Sequence, residues 1–358
     1  MDSWLIVDAT IGSTPRRRHR PSAHSGIGSG LLALSDKYRQ DFSKPGSVRT
    51  CTIGRLLLMS SASSLSPRAF GMLLLLACMF GGNHVAARFA FNDGVDVATA
   101  VALRSSVTAL VVGLLVLQQR VSWALAPRQR LMLGAVSLLV AVQSLSLYAA
   151  VARLPVALAL LAFNTWPMWT ALWERLLYGR SPARQTLVAM PIILLGLALA
   201  LDVFGAASGL GAQAQWGRIG AGVDFAVGAA ATFGVVMVVT QHEIAAVDGR
   251  LRSAVTMGVV GLLAFAVTLA QGGLQWPQHA PGWWGLAMLT LLYGTAFTIM
   301  FTLLPRLGVV GSSPILNVEP VAAMVLAWAL LGQRIAPVQV LGALIVVGTV
   351  MLLGLRRG

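Results

Sequence analysis

Apolar runs of about 20 residues recur along the chain from Ala69 to Leu355, the length needed to cross ~30 Å of hydrocarbon. Ten such runs are predicted as spans, at 69–90, 98–118, 131–152, 155–177, 186–204, 220–240, 253–271, 284–304, 309–331 and 337–355. Only 11% of the 358 residues are charged and 57% are hydrophobic, whereas a soluble domain carries about a quarter charged residues to coat its surface. The chain is therefore expected to be an all-α integral membrane protein with ten transmembrane helices.

The formal charge of +14 raises the question of nucleic acid, which the distribution of that charge answers. Ten of the 26 basic residues precede residue 70, and most of the rest lie in short connections between apolar runs. Such placement encodes membrane orientation, while a nucleic-acid footprint is a stripe on a folded face. With the N-terminus inside, eleven arginines fall at inner connections and only Arg88, Arg153, Arg218 and Arg334 fall outside. Both termini are then expected in the cytoplasm, with Trp216, Trp276, Trp283 and Trp284 at the outer interface. Short loops rich in arginine suit a bacterial inner membrane. Residues 1–67, rich in Arg, Ser, Gly and Pro, read as a disordered basic extension, with Met59 as an alternative start. Its run from Pro15 to Arg20 suits anionic lipid head groups if the extension is native.

An internal repeat adds the topology. A shift of 153 residues places Phe80-Gly81 on Phe233-Gly234, Val85 on Val238, Arg153-Leu154 on Arg306-Leu307, Asn164 on Asn317, Pro167 on Pro320 and Gly179 on Gly332. Five spans per half is an odd number, so the second half enters the bilayer upside down. The expected architecture is two inverted five-helix repeats, residues 68–205 and 214–355, a construction that recurs among transporters.

Several polar residues inside the spans are candidates for the solute or ion pathway. Glu319 lies well within the ninth span, where a carboxylate is costly and faces a cavity or a partner. Pro320 follows it and, like Pro167 in the fourth span, removes a donor from the helix ladder, so both are candidate helix breaks. Asn317 and its counterpart Asn164 either orient a polar solute group or join helices. Phe163, Trp166, Trp169 and Trp173 share one helix face. That face is either an aromatic cavity wall, with Trp166 and Trp169 at its centre, or a packing seam. Arg104, about a third of the way into the second span, must pair or snorkel, with Asp93, Asp96 and Asp224 as candidate partners. His84, after Gly81-Gly82, either relays protons or packs between helices.

Several stretches together resemble the EamA-like branch of the drug/metabolite transporter superfamily. They are Met79-Phe80-Gly81-Gly82-Asn83-His84, Leu103-Arg104, Asn164-Thr165-Trp166-Pro167, and the run from Pro314 to Ala323 that leads to Leu331-Gly332-Gln333-Arg334. The resemblance covers residues 69–355. It implies export or exchange of small metabolites such as amino acids or amphiphiles, by alternating access, through a cavity lined by spans one, three, four, six, eight and nine. It also implies a small-molecule substrate, the lipid bilayer and, with Glu319, the proton as partners, in a monomer or homodimer. Transport driven by the solute gradient alone stays open, as does a non-transporting sensor or assembly partner on the same scaffold. The family's usual Glu after the glycine that ends spans four and nine is replaced here by Arg180 and Gln333.

Enzymatic readings find no support. His242-Glu243-Ile244-Ala245-Ala246 begins like the H-E-x-x-H zinc motif but ends in alanine. Ser312-Ser313 lacks a nucleophile elbow, and no Walker loop is present. Cys51 and Cys78 have no partner at metal or disulfide spacing. No cofactor and no metal are expected.

Overall fold

The computed structural model describes residues 67–180, 184–205, 209, 211–302, 319–333 and 336–355. Outside them lie residues 1–66 of the expected extension, positions 309–318 of the expected ninth span, Asn317 included, and Arg334, Arg356 and Arg357. The described chain is helical. Its elements are α1 (Pro67–Asn92), α2 (Val97–Gln118), α3 (Pro127–Arg153), α4 (Val156–Phe163), α5 (Trp166–Tyr178), α6 (Arg184–Ala200), α7 (Ala212–Glu243), α8 (Gly249–Ala270), α9 (Ala280–Thr302), α10 (Glu319–Leu331) and α11 (Pro337–Leu355). Seven stretches are long and apolar enough to cross a membrane, α4 and α5 counting as one, and α6, α10 and α11 contain shorter apolar helices. The protein is a multi-spanning all-α membrane protein.

Local chemistry explains the boundaries. The Asp96 carboxylate accepts the Thr99 N–H at 3.1 Å and caps the start of α2, satisfying a donor that the helix leaves free. Proline at the head of α3 lacks that donor altogether. The single span expected over 155–177 is two helices, because the ladder is interrupted at Asn164–Thr165, just ahead of Pro167. The Thr165 hydroxyl donates to the Ala162 carbonyl at 2.8 Å in the break. Both α5 and α10 end on glycines with left-handed backbone, Gly179 at φ 67° and Gly332 at φ 64°, a conformation that glycine adopts without penalty. Beyond Gly332, the Gln333 carboxamide oxygen accepts the Val156 N–H at 3.2 Å and so caps the first turn of α4.

Apart from α4, whose residues 156–162 are all buried, the helices have an exposed face and an inward one. On α2, Leu110, Leu114 and Leu117 are exposed, while Val101, Arg104, Thr108, Val112 and Val116 are buried. Trp216, Trp276, Trp283 and Trp284 are all exposed, and Trp276 stacks on Trp283 at 5.7 Å. At this tryptophan-bearing end the Arg88 guanidinium donates to the carbonyls of Val151 and Ala152, both at 2.7 Å, where α3 runs out of intrahelical partners.

The main packing partners lie far apart in sequence: α1 on α9 and α10, α3 and α5 on α7, α2 on α8, and α6 on α11. Glycines permit several of these contacts, two of them at Gly81 and Gly234. A Cβ added at Gly81 would lie 3.0 Å from the Glu319 carbonyl oxygen and the Ala323 nitrogen on α10. One added at Gly234 of α7 would lie 2.8 Å from the Thr170 nitrogen on α5. Backbone meets backbone at both sites, with no room for a methyl group. We therefore expect Gly81→Ala and Gly234→Ala each to cost about 1–3 kcal/mol, read as a lower melting temperature in detergent. Gly71→Ala, with nothing within 4 Å of the new Cβ, should not lower it.

Asp93, in the turn after α1, accepts the His279 backbone N–H at 2.8 Å and pairs with its ring at 2.6 Å. The backbone N–H first, then the ring, hold the Asp93 carboxyl below its ordinary value of 3.8. A depressed carboxylate pKa contributes stability above the unfolded value that is lost as pH falls through the folded one. Asp93→Asn should thus melt at a lower temperature than wild type at neutral pH, and the gap should narrow as the pH is taken below 3.8.

Candidate functional site

Arg104 is the largest fully buried side chain among the described residues, with 1% of its surface exposed. Its guanidinium lies between two phenol rings, 3.8 Å from the centroid of Tyr293 on α9 and 4.5 Å from that of Tyr148 on α3. Cation–π contacts of this kind are worth about 0.5–2 kcal/mol, more when dry. One nitrogen, Nη2, donates to the Ser144 hydroxyl at 3.2 Å, while Nε and Nη1 have no hydrogen-bond partner among the described residues. A buried donor left in that state costs about 1–3 kcal/mol, and a charged one more. The expected carboxylate partners are engaged elsewhere: Asp93 holds His279 and Asp96 caps α2. Asp224 is exposed on α7. Proximity to the same end of a span did not translate into contact, because the three acids lie in a turn, at a helix cap and on an outer face.

A second polar group lies beside the Tyr148 ring. His84 lies 5.1 Å from it, ring to ring, and the Tyr148 hydroxyl donates to the Asn83 carboxamide oxygen. Asn83 in turn donates to the Phe80 carbonyl at 2.9 Å. His84 Nε2 stands 3.5 Å from the Glu319 carboxylate, with side-chain exposures of 6% and 27%. Its Nδ1 has no partner among the described residues. The packing explains this meeting. Gly81 brings α1 against the first turn of α10, and His84, three residues further on the same face, then meets Glu319. Phe80, Tyr293 and Phe297 close one side, with centroids 4.9 to 6.4 Å apart.

The remaining residues singled out from the sequence lie elsewhere. Asn164 is buried at the end of α4, and Asn317 lies outside the described residues. The aromatic face of the fourth span rests on α7. Phe163 and Trp166 each lie 5.4 Å from the Phe233 ring, the backbone at Trp169 faces Gly234, and Trp173 Nε1 donates to the Ala231 carbonyl at 3.0 Å. At the arginine-rich end, Arg128 grips Glu243 through two bonds of 2.7 and 2.9 Å. Tyr178 donates to the same carboxylate at 3.2 Å and stacks on His242. His242 faces Glu174 at 2.9 Å, and Arg180 faces it at 3.6 Å. This network ties α3 and α5 to α7. At the opposite end a cleft of about 680 Å³ opens, with Asn92, Asp96, Arg153, Phe225 and Gln271 on its walls.

Sequence reasoning passed over Tyr148, Tyr293 and Ser144, and named Asn83 only within the stretch that carries the family resemblance. A usable signal was present, since only four tyrosines occur in the chain and two of them, Tyr148 and Tyr293, fall inside expected spans. A phenol there needs a partner for its hydroxyl.

The model of the EamA-like transporter family matches residues 68–201 and again 220–355. The chain belongs to the EamA-like transporter family. It is thus a membrane transporter of small molecules rather than an enzyme, and among the described residues no group of three His, Cys, Asp or Glu side chains could hold a metal ion. A solved structure titled only as the crystal structure of a protein is similar in fold, with a TM-score of 0.53 and 18% identity over 81% of this chain and 98% of that one. No protein of curated function matches this EamA-like chain.

Tyr148 joins the two polar groups, and its hydroxyl separates two roles. Tyr148→Phe keeps the ring beneath Arg104 and leaves the Asn83 oxygen without its donor, so a loss of about 1–2 kcal/mol is expected. Tyr148→Leu should lose more, by the cation–π contact. Thermal unfolding in detergent measures both.

Proposed function

We propose that this EamA-like protein is a secondary exporter of small organic metabolites, amino acids and related amphiphiles among them, working by alternating access. Its two halves, residues 68–205 and 214–355, act as inverted five-helix repeats that together make ten spans. The pairing of helices supports this reading. The 153-residue shift that carries Gly81 to Gly234 also carries Thr170 to Ala323, and these four residues form the two backbone contacts between α1 and α10 and between α7 and α5. The contact of α1 with α9 is likewise matched by that of α7 with α3, while α2 on α8 and α6 on α11 pair equivalent spans. Almost every helix thus has its main partner in the opposite half, an arrangement in which the halves exchange roles.

The observation that carries the function is the Glu319–His84 pair. A carboxylate and an imidazole 3.5 Å apart within apolar helices can hold a proton or a solute amine but not both. Competition for that place couples an inward proton to an outward solute. Arg104, Asn164 and Asn317 complete the polar pathway, Pro167 and Pro320 supply its helix breaks, and Trp166 and Trp169 form the seam along which α5 and α7 move. The network of Arg128, Glu243, Glu174 and His242 closes the cytoplasmic side, where both termini lie. The setting is a bacterial inner membrane, the protein a monomer or homodimer, and the tail before residue 68 a basic extension.

The test is transport in proteoliposomes of labelled amino acids and cationic aromatics, with and without a pH gradient. Wild type should move solute in response to the gradient, and Glu319→Gln should lose that response and about tenfold or more in rate. Solute movement indifferent to both would remove the proton from the mechanism. No movement of any solute would favour a non-transporting sensor or assembly partner.

A further inference from the structure

We infer that Arg104 is the carboxylate-recognition residue of this transporter and that its solutes are zwitterions, their carboxylate on Arg104 and their amine at Glu319. The inference rests on the transport reading above and names the class of solute. It starts from a charge without a counter-charge among the described residues. Beyond residue 66 the sequence holds eight acids: Asp93, Asp96, Glu174, Asp202, Asp224, Glu243, Asp248 and Glu319. All eight are described, and none lies within ion-pair distance of Arg104. The stretch 303–318 contains no Asp or Glu, so it holds no carboxylate to offer.

The guanidinium is built to be held without being used up. The two tyrosine rings lie against the guanidinium carbon, at 3.8 and 4.5 Å. Ser144 takes one hydrogen, from Nη2. A guanidinium has five N–H donors forming two forks that share Nη2, and a single bond to one Nη2 hydrogen occupies only one of them. The other fork is intact, and a fork of parallel N–H donors matches a carboxylate in a way an ammonium does not. The orphaned Nε and Nη1 are the signature of a site that awaits its acceptor.

The rest of the cluster sets the overall charge of the solute. Arg104 and His84 both lie against the Tyr148 ring, at 4.5 and 5.1 Å, and His84 faces Glu319. Arg104 and Glu319 are therefore linked through Tyr148 and His84, a positive group at one end and a negative one at the other. A solute with both charges satisfies both, while a simple anion meets Glu319 and a simple cation meets Arg104. Phe80, Tyr293 and Phe297 offer ring surface to an apolar side chain between the two ends.

The experiment compares matched solutes with and without the carboxylate, L-phenylalanine against L-phenylalaninamide and L-leucine against L-leucinamide, in proteoliposomes of the full chain. Wild type should move each acid about tenfold or more faster than its amide. Arg104→Gln should abolish that preference by slowing the acids and not the amides, and Arg104→Lys, which keeps the charge and loses the fork, should leave the acids slowed. A purely structural role would slow both members of each pair alike. The inference is overturned if wild type moves acid and amide equally, or if Arg104→Gln moves the acids at the wild-type rate. If amides move and acids do not, the transporter reading stands and the carboxylate falls. If nothing moves, both fall. The wild-type comparison needs no substitution, so a variant that misfolds leaves the test decisive.

Discussion

Hydrocarbon offers no hydrogen bond, so every polar atom carried into the bilayer must find its partner within the protein. The backbone meets this demand by forming helices, and most hydroxyls meet it inside their own helix. Thr108 donates to the Arg104 carbonyl, Ser137 to Leu133, Thr170 to Trp166 and Thr349 to Ile345, each at 2.7 to 3.0 Å and one turn back. Where a helix ends, a side chain from another segment takes over, as Arg88 does for α3 and Gln333 for α4. Against that background Arg104 stands out among the described residues, with two buried nitrogens unspent where His84 and Ser105 each have one such atom. The demand that shapes the whole bundle is the reason this one residue is informative.

Close packing adds to that demand. Interhelical glycines let the backbone of α1 reach α10, and that contact sets the histidine of one segment against the glutamate of another. The same geometry recurs between α7 and α5, where bulky aromatic rings fill the place that the acid takes in its counterpart. Beside its glycine, one crossing sets titratable groups together and the other sets aromatic rings together. The Glu174–His242 pair between α5 and α7 lies further along, towards the arginine-rich end.

Much of this architecture is legible in the sequence, because the bilayer imposes a length and an apolar character that few residues escape. The second span was expected at 98–118 and the helix is Val97–Gln118; the last was expected at 337–355 and the helix is Pro337–Leu355. Departures have physical causes. The helix expected from 220 begins at Ala212, since Gln213, Gln215 and Arg218 lower the hydropathy of a turn that is helical nonetheless. The helix expected from 131 begins at Pro127 for the same reason, with Arg128, Gln129 and Arg130 in its first turn. The site was legible only in part. Arg104, His84 and Glu319 stand out as charge in an apolar run, but their neighbours do not. Tyr148 and Tyr293 pass as ordinary apolar span residues until the fold places them on either side of the guanidinium. Contacts such as His84 with Glu319 join residues from opposite ends of the chain, and no local pattern encodes them.

The pairing of α2 with α8 and of α6 with α11 bears on how the chain is made. A ribosome adds about 5–20 residues per second, so a helix whose partner lies some 150 residues downstream waits on the order of ten seconds for it. During that interval α2 holds Arg104 in the bilayer while Tyr293 has not yet been synthesised. The nascent first half then contains Ser144 and Tyr148 of the finished setting and lacks the second ring. The order of synthesis thus completes the surroundings of Arg104 from the downstream half.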